Sequence, residues 1–74
     1  MSHVTVYSKP NCVQCTATYR ALKNAGIEYT VVDLIDDPTA LKMVTDLGHQ
    51  QAPVVVTAND HWSGFRPDLI NNIR

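Results

Sequence analysis

Two cysteines, Cys12 and Cys15, enclose Val13 and Gln14 and are the only cysteines in 74 residues. Thiols at this spacing exchange with disulfides, hold a metal, or close a small structural loop. A thiolate is the attacking species in exchange, and a helix N-terminus stabilises it through unpaired amide hydrogens and partial positive charge. If a helix begins at this pair, Cys12 sits at its tip. Cys15 then lies one turn further in on the same face, more buried and less acidic. One sulfur attacks and the other resolves the mixed disulfide, the asymmetry that dithiol–disulfide exchange needs. A structural disulfide closing so short a loop stabilises a fold little. A zinc site asks for about four ligands. The remaining donors, His3, His49 and His61, show no zinc-finger spacing. Two thiolates do suffice for Cu(I).

Elements must position the pair. Val4 and Val6 alternate with Thr5 and Tyr7, predicting a strand from His3 to Ser8 that Lys9-Pro10-Asn11 breaks. Apolar residues at 13, 17, 21, 22 and 25 predict one face of a helix from Val13 to Ala25, stopped by Gly26. Tyr29 to Leu34 is β-rich and nearly continuously apolar, which predicts a strand covered on both faces. Asp36-Asp37-Pro38 is a helix start, followed by Ala40, Leu41, Val44 and Leu47 at helical spacing. Val54 to Thr57 predicts a third strand, Ala58-Asn59-Asp60 a reversal, and His61-Trp62 a fourth strand that Gly64 breaks. Pro67 opens a last helix with Leu69, Ile70 and Ile73 on its apolar side. The order βαβαββα predicts an α/β fold: a mixed four-stranded sheet with three helices, residues 1–74 forming one domain; a monomer is expected.

Composition narrows the function. Hydrophobic residues make up 45% and charged residues 18%, which excludes a disordered chain. Six Lys+Arg face seven Asp+Glu without a basic run, so nucleic acid is not an expected partner. The longest apolar runs are too short to cross a bilayer. No secretion signal is visible at the N-terminus, and the expected location is a reducing cytoplasm, where thiols stay free.

A proline before the third strand, in Ala52-Pro53-Val54, adds a second signature. Together with the Cys-x-x-Cys at a strand-to-helix join it resembles the thioredoxin superfamily, in the minimal glutaredoxin-like form, over essentially the whole chain. That resemblance implies a cis proline at Pro53 beside the dithiol. The stretches Cys12-Val13-Gln14-Cys15-Thr16, Ala52-Pro53-Val54 and above all His61-Trp62-Ser63-Gly64-Phe65-Arg66-Pro67-Asp68 resemble the NrdH-redoxin family. Membership implies a dithiol carrier with no bound cofactor, taking electrons from NADPH through thioredoxin reductase and passing them to class Ib ribonucleotide reductase. Cys12 is then the nucleophile and Cys15 the resolving thiol, and target backbone pairs beside Ala52 by strand addition.

Ordinary glutaredoxins typically carry Cys-Pro-Tyr-Cys and a Gly-Gly segment before an acidic helix start that holds glutathione. Here the dithiol encloses Val13 and Gln14, and bulky Phe65 with Arg66 crowds the later segment. Lys9 does match a glutaredoxin position that meets a glutathione carboxylate; otherwise it is a solvated lysine favouring the thiolate. The candidate partner-binding residues are Lys9, Val13, Gln14, Ala52, Pro53, Phe65 and Arg66, with Phe65 the better docking candidate than Trp62; Trp62 divides between core and docking, Tyr7 between shielding the dithiol and packing, and Arg66 has Asp68 or Asp60 as partner. His49 and His61 lack an evident partner in sequence. A glutathione-dependent glutaredoxin is the alternative, followed by a Cu(I)-binding metallochaperone-like module. Such modules run βαββαβ and usually carry Met where this chain has Pro10.

Overall fold

The alternation of Val4 and Val6 with Thr5 and Tyr7 sends both valines to one face of β1 (Val4–Ser8), where they are fully buried. The computed structural model describes residues 4–73, so His3 lies outside the described residues. After β1 come α1 (Val13–Asn24), β2 (Tyr29–Asp33), α2 (Pro38–Asp46), β3 (Val54–Val56), β4 (His61–Ser63) and α3 (Pro67–Asn71). The predicted element order is the observed one.

The spatial strand order is β2-β1-β3-β4. β1 runs parallel to β2, from Val4 opposite Tyr29 to Ser8 opposite Asp33, and antiparallel to β3, with Tyr7 opposite Val54. A β3–β4 hairpin completes the sheet, its reversal closed by the Thr57 N–H donating to the Asp60 carbonyl at 2.8 Å.

One face of the sheet carries the main core: Val4, Val6 and Val55 from the strands, Trp62 from β4, Leu22 from α1 and Ile70 from α3. Six buried aliphatic and aromatic side chains from five elements make this face continuous. Leu69 and Ile73 pack against it, as the predicted apolar side of the last helix requires. The opposite face takes α2, which buries only Ala40 and Val44. The Tyr7 hydroxyl donates to Met43 Sδ at 3.9 Å, which ties β1 to this helix. Tyr7 thus packs on α2. Asp37 caps α2 by accepting the Ala40 N–H at 3.0 Å, and Pro38 takes its first position.

Two burial expectations are corrected. β2 is an edge strand with β1 as its one neighbour among the described residues, so Thr30 is exposed, and so is Val31 although it stands opposite the buried Val6. In α1 the buried stripe is Cys15, Thr18 and Leu22, at i, i+3 and i+7, so Val13 is not part of it. Val13 stands at the first helical turn, 84% exposed. Three predicted ends shorten by one residue: α1 stops at Asn24, with Ala25 as its C-cap, β2 stops at Asp33, after which the Leu34 N–H donates to the Ser8 carbonyl, and β3 stops at Val56.

Candidate active site around the cysteine pair

The turn Lys9-Pro10-Asn11 delivers the chain from the sheet into α1. Asn11 takes a left-handed conformation at φ 59°, which asparagine tolerates better than most residues. Cys12 is then the N-cap of α1, its Sγ accepting the Cys15 N–H at 3.1 Å. The amide hydrogen that meets Sγ favours negative charge on that sulfur once the pair is reduced. Cys12 and Cys15 are joined by a disulfide with Cα atoms 5.2 Å apart. Cys15 is 2% exposed while Cys12 is half-buried, the asymmetry the helix register predicts.

Pro53 lies buried at the same end of the sheet, just before the Val54 that pairs with Tyr7. The Ala52–Pro53 peptide is cis, as the resemblance implies. The Pro53 carbonyl accepts the Gly64 N–H at 2.8 Å, and the next amide, of Phe65, donates to Gln14 Oε1 at 3.0 Å. Two hydrogen bonds therefore connect the cis-proline loop, the 63–66 segment and the centre of the Cys-x-x-Cys motif. Gly64 has φ +82°, and a Cβ there would approach Gln14 Oε1 to 3.3 Å. The position needs glycine both for its backbone conformation and for this close approach.

Around this end the surface is apolar. Besides Val13, Ile35 is 69% exposed and Phe65 38%. A groove of about 390 Å³ runs between the start of α2 and the cis-proline loop, lined by Lys9, Leu34, Ile35, Leu41, Gln51 and Ala52 among others. Arg66 turns toward Asp68, not Asp60, in a fork: Nε donates to Oδ1 at 3.2 Å and Nη2 to Oδ2 at 3.0 Å. That hydrogen bonding holds the Asp68 carboxyl below, and the Arg66 guanidinium above, their ordinary values. Both side chains are solvent-exposed, so the fork shapes the turn into α3 more than it stabilises the fold.

The structure thus gathers Cys12, Cys15, Gln14, Pro53 and Phe65 at one end and places Lys9 and Ala52 on the groove. Trp62 belongs to the core, 7% exposed. One expectation is corrected: His49 and His61 do have partners, namely each other, at 2.7 Å. The turn after α2 folds back toward β4, a proximity that no sequence spacing announces. Leu41 escaped sequence reading as a site residue because its helical spacing marks it for burial, and Ile35 because it falls between two predicted elements.

The glutaredoxin family model matches residues 4–62. The chain is 40% identical to the glutaredoxin-like protein NrdH of Escherichia coli strain K12 over 70 residues, covering 95% of this chain and 86% of that protein. It is 43% identical over the same shares to the NrdH protein of Salmonella typhimurium. The solved structure of Escherichia coli NrdH-redoxin superposes with a TM-score of 0.94 at 39% identity, over 97% of this chain and 95% of that one. By these similarities the chain belongs to the glutaredoxin family and, within it, to the glutaredoxin-like NrdH proteins.

Proposed function

We propose that this protein is a dithiol–disulfide electron carrier, reduced by thioredoxin reductase with NADPH and donating to class Ib ribonucleotide reductase in a reducing compartment. The Escherichia coli NrdH-redoxin to which it is similar has a thioredoxin-like activity profile. In the reduced protein the Cys12 thiolate attacks a target disulfide. One target sulfur leaves as a thiolate that takes up a proton, and the other stays bonded to Cys12 Sγ. The Cys15 thiol loses its proton and attacks Cys12 Sγ, which releases the second target thiolate and forms the Cys12–Cys15 disulfide. Two electrons pass to the target, and the reductase returns them by the reverse steps. Extended target backbone docks beside Ala52, at the edge of the apolar groove.

The observation that carries the choice of reductant is the Gln14–Phe65 hydrogen bond. It engages the Phe65 amide, while Pro67 offers no N–H at the start of α3. Glutathione carries two carboxylates and needs donors and cations around the dithiol. This end offers Lys9 and, on the 63–66 segment, an Arg66 already paired with Asp68. Its exposed Val13, Ile35 and Phe65 instead suit a protein surface. The test follows NADPH oxidation with insulin as acceptor, in parallel with thioredoxin reductase and with glutathione plus its reductase. Turnover is expected with the first system and little with the second. Efficient turnover with glutathione alone would refute the reading.

A further inference from the structure

His49, in the turn after α2, and His61, the first residue of β4, come from separate elements and meet at the surface. Nε2 of His49 lies 2.7 Å from Nδ1 of His61, with the rings edge to face at 83° and their centroids 4.9 Å apart. Two nitrogens aimed at one another from a loop and a strand are a preorganised pair of soft-to-borderline ligands. We infer that His49 and His61 form a surface site for a divalent transition-metal ion of the zinc class, with water completing its coordination.

Zn–N bonds of ~2.0–2.1 Å at a tetrahedral angle set ligand nitrogens about 3.3 Å apart. The rings must therefore open by about 0.6 Å from their hydrogen-bonded separation, a small rotation for the exposed His61. Burial, together with the neighbouring His61, lowers the His49 pKa, so this imidazole is neutral at pH 7.5 and can ligate. One bridging nitrogen carries the shared proton; on binding, that ring shifts its proton to its other nitrogen, and no net proton is released. Among the described residues no cluster of three or more His, Cys, Asp or Glu side chains exists, so these residues supply two ligands, His49 and His61. His49 also lines the groove that reaches Ala52. A bound ion would tie the loop leading into the cis proline to β4.

The disulfide form removes the cysteines from competition. Zinc chloride is titrated into that form at pH 7.5, followed by calorimetry and by the imidazole NMR signals. The expected result is one saturable site, with His49 and His61 signals moving together. His49→Gln and His61→Gln should each weaken binding at least tenfold. Imidazole signals of the unsubstituted protein that stay still, or saturable binding that survives in the double variant, would overturn the inference.

Discussion

The two faces of the sheet are unequally covered, and the difference separates folding from recognition. Under α1 and α3 the face is dry and continuous, built from Val4, Val6, Leu22, Val55, Trp62 and Ile70. Under α2 only Ala40 and Val44 are buried on the helix, and Leu41, Met43 and Leu47 remain exposed. The closed face fixes α1, and through it the buried Cys15. The thin face leaves a groove ending at Ala52. A chain this short has too few residues to close both faces equally, and the incompletely covered one presents apolar surface to partners.

Substitutions sharpen that contrast. Cys12→Ser should abolish turnover, whereas Cys15→Ser should still attack a target and remain as a mixed disulfide, visible as a mass increase on non-reducing analysis. Alkylation of the reduced protein should modify Cys12 before Cys15; the reverse order would break the assignment. On the closed face, Leu22→Ala should lower unfolding free energy by about 2–5 kcal/mol in urea titration. On the thin face, Leu41→Ala should cost about 0.5 kcal/mol or less yet raise the reductase KM severalfold. Equal losses of stability at the two sites would erase the distinction between the faces. Gln14→Ala should cost about 1 kcal/mol and free the 63–66 segment, read as faster amide exchange at Phe65. The smallest effect concerns pH. Because the folded His49 pKa is lowered, the unfolded chain takes up its proton first as pH falls below ~6.5. Its contribution to stability is complete above that pH and lost as pH falls through the folded value. His49→Gln should flatten this slope in urea titrations between pH 7.5 and 5.

Local chemistry was legible in the sequence. The Cys-x-x-Cys at a strand–helix join, Pro38 beside Asp37, and Pro67 opening α3 each act within a few residues, so spacing alone locates them. The cis proline came from resemblance, not from periodicity. Long-range placement was not legible. Nothing in Tyr29–Leu34 says that β2 lies at an edge, because an apolar run has the same pattern whether or not a neighbour covers it. Val13 fits a helical face by spacing but stands at the first turn, where the core stripe has not begun. Gln14 reads in sequence as a partner-binding residue inside the dithiol, and only the fold brings the Phe65 amide to it, 51 positions away.

The central claim is that the exposed apolar end docks the partner while the closed face holds the fold. It is tested most directly by the catalytic efficiency of thioredoxin reductase toward Phe65→Ala, measured beside the rate of reduced Cys12 with a small disulfide. The account predicts a tenfold or greater loss in the reductase step and an unchanged small-disulfide rate. Equal losses in both would show that Phe65 supports the site's structure and would contradict docking at this end.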